Sequence, residues 1–231
     1  DEKTAAVTYV FGPWMDCDLS LREVVEIAHA KDVPVIVDGA AMLPPAENLT
    51  KYISDGADLV TFSGGKGLRG PQSTGILAGR ADLVEAARLN MSPHASVGRG
   101  SKVAKEEIAA VLVALRRFVS MDHEAEWAMW RGWSETITEA AKGVTGLRPV
   151  IEDGDPNRQG PTAVFYFEDG WSGSSSKEIQ EKLAAGDPNI QVGVADHPRR
   201  SGYGDELYIS PVALEEGEAE IIAAALRAEF Q

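Results

Sequence analysis

Short apolar runs alternate with amphipathic stretches over residues 1–100. Val7–Val10 reads as a buried strand. Ser20, with Glu23 three residues later, makes a capping box for a helix that carries Val24, Val25, Ile27 and Ala28 and ends near Asp32. Pro34-Val35-Ile36-Val37-Asp38 is an apolar run closed by a carboxylate. A second helix pattern, with Leu49, Tyr52 and Ile53, stops at Gly56. Strand runs follow at Asp58–Ser63 and Thr74–Gly79, then a helix near Ala81–Leu89. Strands separated by helices predict parallel pairing through right-handed crossovers. Ligands in such sheets sit at the carboxyl ends of the strands, where Asp38 and Ser63 fall.

The pattern changes after residue 100. Pro93–Ser101 is a loop, and a helical face then runs through Ile108, Val111, Leu112, Leu115 and Val119. Helical composition continues to about Ala141, with Gly132 as its weak point. Strand runs at Ala163–Phe167, Ile190–Val194 and Leu207–Ile209 then interleave with helices near Lys177–Ala185 and Glu218–Phe230. The predicted architecture is α/β: a mostly parallel sheet domain over 1–100, a linking helix over 101–145, and a smaller α+β domain over 146–231. Trp127, Trp130 and Trp133 recur along the linking helix, a spacing that suits packing better than a ligand box.

Composition narrows the class. Hydrophobic residues make up 44%, enough for a sizeable core. Lys and Arg number 22 and Asp and Glu 36, so the net charge is −14. Such a surface repels phosphate backbones and argues against nucleic acid as a partner. No apolar run is long enough to span a membrane, and no apolar signal stretch opens the chain. Cys17 is the single cysteine, which rules out an internal disulfide, and the histidines lack metal-ligand spacing, so no metal is expected. A cytoplasmic globular protein is the expectation.

The densest chemical signal is Ser63-Gly64-Gly65-Lys66-Gly67-Leu68-Arg69-Gly70-Pro71-Gln72. It is not a nucleotide P-loop, because Val60 stands where that motif needs its first glycine and Gly67 where it needs Ser or Thr. Here a lysine lies among glycines just past a strand, and Asp38 lies at another strand end of the same sheet. An amine and a carboxylate on one rim are the pair that pyridoxal 5'-phosphate (PLP) requires. The amine takes the aldehyde, and the carboxylate keeps the pyridine nitrogen protonated.

Val37-Asp38-Gly39-Ala40-Ala41, Gly56-Ala57-Asp58-Leu59-Val60 and the Ser63–Gly75 segment resemble the fold-type I PLP enzymes. Within them, the resemblance is to the selenocysteine synthase-like group, which includes seryl-tRNA selenium transferases and D-glucosaminate-6-phosphate ammonia-lyases. It continues more weakly through Lys102–Glu107 and Gly186-Asp187-Pro188. The resemblance implies that Lys66 is the Schiff-base lysine and general base. It makes Asp38 the ring-nitrogen partner, Ala40 the small residue on one ring face, and Ser63 a phosphate-side hydroxyl. Arg99 and Lys102 fall where the group places substrate-side cations, which favours that role slightly over a solvated surface charge, and His94, in the same loop, is a further candidate for substrate contact or proton transfer, with an ordinary loop histidine as the alternative. Gly39 replaces an alanine common in relatives. Arg199-Arg200 reads as a solvated loop, with an anion clamp as the alternative, and His29 as structural.

The implied function is a PLP-dependent lyase acting on a small 2-amino acid by β-elimination and loss of ammonia. Selenium transfer, aldol cleavage, racemisation and a non-catalytic fragment are the alternatives. The resemblance also implies a homo-oligomer, a dimer or larger. A long segment precedes the first strand in complete subunits of this kind, so the chain is expected to be competent only together with such a segment.

Overall fold

The computed structural model describes residues 2–11, 17–153, 160–194 and 205–231. Arg199-Arg200 lies outside the described residues. The chain divides into two compact units, Asp1–His123 and Glu124–Gln231.

The first unit holds a four-stranded sheet in the order β1 (Val7–Val10), β2 (Val35–Asp38), β3 (Leu59–Ser63), β4 (Gly75–Gly79). Helices α1 (Leu21–His29) and α2 (Asn48–Ser54) are the crossovers that make β1, β2 and β3 parallel. The capping box at Ser20 is present: its hydroxyl accepts from the Glu23 amide at 3.3 Å, and the Glu23 carboxylate accepts from the Ser20 amide at 2.8 Å. Val35, Val37, Val60 and Phe62 are buried between helices, with Val25 and Ala28 of α1 and Tyr52 of α2 among their neighbours. β1 is half-exposed, not buried as its composition predicted, because it is the outer strand.

The larger departure is β4, which pairs with β3 antiparallel, Leu59 opposite Gly79 and Ser63 opposite Gly75. No crossover helix lies between them. Residues 64–74 simply turn the chain back, so Lys66 sits in a hairpin connection. Helix α3 (Ala81–Asn90) and the loop over 91–104 lead into α4 (Lys105–Ser120). The long helical stretch is broken at Met121, which is extended, and not at Gly132, which lies inside α5 (His123–Thr138). His123 Nε2 donates to the Phe118 carbonyl at 2.7 Å and closes the end of α4.

The second unit contains most of α5 and an antiparallel sheet in the order β5 (Leu147–Glu152), β6 (Thr162–Phe167), β8 (Glu206–Ile209), β7 (Gly193–Val194). Helices α6 (Ser176–Ala185) and α7 (Glu218–Glu229) pack on it around Phe165, Leu207, Ile179 and Leu226. β5 carries Pro149, which breaks the strand signal in the sequence but is tolerated on a sheet edge. Trp130 is buried, Trp133 packs on the core, and Trp127 Nε1 donates to Asp153 at 3.1 Å, so the tryptophans are packing residues.

One ionic clasp holds the amino ends of β2 and β3. Asp58, only 6% exposed, accepts from Arg80 Nη1 at 2.9 Å, His29 Nε2 at 2.8 Å and the Val35 amide at 2.7 Å. Burial opposes the charge, but the hydrogen bonds from His29, Val35 and Arg80 outweigh it and keep the carboxyl below its ordinary range. His29 is thus structural, as expected. Asp58→Asn turns an acceptor into a donor facing other donors. It should cost about 2 kcal/mol at pH 7, the half-exposed partners limiting the loss. A depressed carboxyl pKa stabilises the fold above the unfolded value, and the benefit fades as pH falls below about 3.9. Urea midpoints of the two proteins should therefore differ at neutral pH and converge in acid. Equal midpoints at pH 7 would show that the clasp contributes nothing.

Candidate active site

The carboxyl ends of β2 and β3 meet in a small set of backbone contacts. Asp38 ends β2, in register with Val10 on one side and Thr61 on the other. Its Oδ1 accepts from the Ala40 amide at 3.0 Å, a turn that fixes the carboxylate and leaves Oδ2 without a hydrogen bond among the described residues. The Gly39 amide donates to the Thr61 carbonyl at 3.0 Å, and the Ser63 amide reaches the Ala40 carbonyl at 3.4 Å. The segment Asp38-Gly39-Ala40 is thus laid along the end of β3, and the half-buried Asp38, Ala40 and Ser63 share one edge.

Lys66 follows Ser63 in the hairpin connection. It is exposed, and its side-chain amine makes no hydrogen bond or ion pair among the described residues. The loop beneath it is tightly built. Gly64 donates to Thr74 at 2.9 Å, Gly70 to Gly64 at 2.7 Å and Arg69 to Lys66 at 2.8 Å, all backbone to backbone, and Gln72 Nε2 donates to the Gly65 carbonyl at 2.9 Å. The glycines are present for closeness, not for left-handed backbone. A Cβ at position 67 would sit 1.9 Å from the Leu43 carbonyl oxygen, and one at 64 would sit 1.9 Å from Thr74 Oγ1. The residue with positive φ is Arg69, at 55°.

Helix α4 supports the loop from another side. A Cβ at Gly64 would meet Val111 at 3.0 Å, and one at Gly70 would meet Ala114 at 3.1 Å. Ala104 offers no capping oxygen, so only half a capping box forms. Glu107 accepts from the Ala104 amide at 2.8 Å, and its other oxygen accepts from the Ser73 hydroxyl. Ser73, then Ala104, hold the Glu107 carboxyl below its ordinary range against the opposing effect of burial. Gln72, Ser73 and Glu107 drew no role in the sequence reading. The signals were present in Gly70-Pro71-Gln72 and in a glutamate at the third helical position with no Ser or Thr cap before it.

The other candidates lie in the loop after α3. His94 is half-buried, and the Glu85 carboxyl is held below its ordinary range, first by its hydrogen bond from Arg88. Arg99 is exposed and donates to Ser92 Oγ at 2.9 Å, and Lys102 is exposed. Their hydrogen bonds are local, and among the described residues none ties them to Asp38 or Lys66.

A free amine, a fixed carboxylate with one open oxygen, and small residues between them fit a flat, aldehyde-bearing ring with a basic nitrogen. The fold agrees. It is the C-terminal part of the fold-type I PLP-enzyme architecture. The structure of D-glucosaminate-6-phosphate ammonia-lyase matches 100% of this chain and 58% of its own, with a TM-score of 0.71 at 25% identity. The structure of SPT with a PLP internal aldimine matches 97% of this chain and 54% of its own, with a TM-score of 0.59 at 18% identity, a likeness of fold alone.

The family profile of L-seryl-tRNA selenium transferase matches residues 15–130, and the chain belongs to that family. It is 26% identical to D-glucosaminate-6-phosphate ammonia lyase of Salmonella typhimurium over 98% of this chain and 58% of the relative. It is 29% identical to 5'-C-glycyluridine monooxygenase-decarboxylase of a Streptomyces species over 95% of this chain and 53% of the relative. The chain thus spans little more than half the length of these relatives. No helix among the described residues is long and apolar enough to cross a membrane. No group of His, Cys, Asp or Glu among them is placed to hold a metal ion.

The close approach at Gly67 is directly testable. Gly67→Ala should destabilise the chain by about 1–3 kcal/mol, because backbone must move to admit the methyl group. Gly132→Ala, in open space inside α5, should stabilise it by about 0.4–1 kcal/mol. Denaturant midpoints that moved the same way for both would refute this account of the loop.

Proposed function

We propose that this chain carries the lysine and ring-nitrogen carboxylate of a PLP-dependent lyase acting on a small 2-amino acid. The supporting observation is the placement of Asp38 and the Lys66 loop on one sheet edge, tied together through Gly39–Thr61 and Ala40–Ser63. When bound, PLP supplies an electron sink for negative charge at the substrate Cα. Lys66 Nζ would hold the aldehyde carbon and, once displaced by the substrate amine, take the Cα proton. Asp38 Oδ2 would hold the proton on the ring nitrogen. Ala40 would pack on one ring face, and Ser63 Oγ would donate to the phosphate.

His94, Arg99 and Lys102 would meet the anionic parts of the substrate. Loss of the Cα proton and of a leaving group at Cβ would give an enamine, which, once exchanged for Lys66 and released, tautomerises to an imine and is hydrolysed by water to a 2-oxo acid and ammonia. The similarity to an ammonia lyase along nearly the whole chain and the net charge of −14 favour this chemistry over a tRNA substrate.

Selenium transfer to a seryl-tRNA is the second reading, favoured by the family match over residues 15–130. A gel-shift titration with that tRNA separates the two, since the lyase reading expects no complex. The relatives are nearly twice as long as the matched stretch, and on this reading Lys66 and Asp38 become competent only with the remainder of such a subunit. The reading includes a homo-oligomer, dimer or larger. Ile108, Leu112 and Val119, exposed on one side of α4, offer apolar surface for a second copy.

In an active subunit containing this chain, loading with PLP, borohydride reduction and peptide mapping should place the pyridoxyl group on Lys66. A label confined to other lysines would end the reading. In an active subunit containing this chain, Asp38→Asn should keep the Lys66 label but lower turnover by about 10²- to 10³-fold. Near-normal turnover would remove Asp38 from the ring nitrogen.

A further inference from the structure

The limb that returns from Lys66 to β4 grips a different partner with each successive residue. Gln72 Nε2 donates to the Gly65 carbonyl at 2.9 Å, and that carbonyl belongs to the peptide linking Gly65 to Lys66. Ser73 turns the other way and donates to Glu107 on α4. The Thr74 carbonyl accepts from Gly64, and Thr74 Oγ1 donates back to the Pro71 carbonyl at 2.7 Å. The peptide immediately before Lys66 is therefore held by one side-chain amide, on a limb that is itself anchored to a helix. A carbonyl only accepts, so the contact needs the N–H of the Gln72 amide. The Gln72 Cα also stands 2.5 Å from where a Gly65 Cβ would be, so the two backbones have no room to separate and re-form the contact elsewhere.

We propose that Gln72 is a positioning residue for Lys66. It fixes the plane of the Gly65–Lys66 peptide and so the direction in which the lysine leaves the loop, with Ser73 and Glu107 holding the limb in place. The inference rests on the reading of Lys66 as the PLP lysine. Preorganisation of this kind speeds reaction at the amine without contributing an atom to the chemistry. Gln72→Glu keeps the shape of the side chain and removes the donor, so it isolates the hydrogen bond from the packing.

The test is the rate at which PLP is trapped on Lys66 by borohydride, read by peptide mass spectrometry as a ratio to label on the exposed Lys31. Gln72→Glu and Gln72→Ala should each lower that ratio about five- to tenfold, the loss expected for one hydrogen bond. Ser73→Ala should lower it less. Asp58→Asn, which weakens the opposite end of the sheet, should lower the denaturant midpoint and leave the ratio unchanged, so a loss of stability alone is distinguishable. A wild-type ratio in folded Gln72→Glu, with Lys66 labelled in the parent, would overturn this inference alone. Absence of label on Lys66 in the parent would overturn the cofactor reading and this inference together.

Discussion

The candidate site depends on glycine backbone packed so closely that no side chain fits. Gly67 presses on the carbonyl of Leu43, Gly65 on Gln72, and Gly64 and Gly70 on α4. These contacts fix the loop that carries Lys66 relative to the turn that follows Asp38. An exposed amine on a four-carbon stem has no rigidity of its own, so whatever direction it has comes from the peptide it stands on. The glycines give the loop a definite shape by removing the space in which it could vary, which is the opposite of the flexibility usually associated with that residue.

Asp38 is treated differently. Its carboxylate accepts from an amide two residues on, and the same short segment is stitched to β3 by the Gly39 and Ser63 amides. The sheet therefore sets where the carboxylate stands, and the hairpin sets where the amine stands. Both stand at one edge of the sheet because β3 provides both the partner of β2 and the first limb of the hairpin. Relatives of very different named activities are similar in sequence along nearly the whole of this chain, among them an ammonia lyase and a monooxygenase-decarboxylase. On the proposed reading, a proton acceptor and a ring partner would suit many reactions at an amino acid, and selection among them would fall to residues that touch the rest of the substrate.

Much of this was legible in the sequence, and the failures have physical causes. Ser20 and Glu23 announced α1, and the apolar runs at Val35–Asp38 and Leu59–Ser63 announced β2 and β3, because caps and buried strands are local signals. Strand direction is not local. The run ending at Gly79 looks the same in either sense, and only the absence of a helical stretch between Ser63 and Gly75 marks the reversal. The break after α4 escaped notice because Met121 becomes extended through its dihedral angles, whereas Gly132 remains helical. Lys66 and Asp38 stood out by residue type and place. Gln72 did not, because its role lies in a contact across the hairpin that spacing alone does not reveal.

The ionic clasp at Asp58 and the lysine loop occupy opposite ends of β3. Five residue steps along a strand amount to roughly 16–17 Å, well beyond the range within which substitutions usually interfere with one another. Changes at the two ends should therefore combine additively. A protein arranged in this way can accumulate stabilising substitutions at one rim of its sheet and spend the gain on loop changes at the other. New substrate preferences then become reachable through intermediates that still fold.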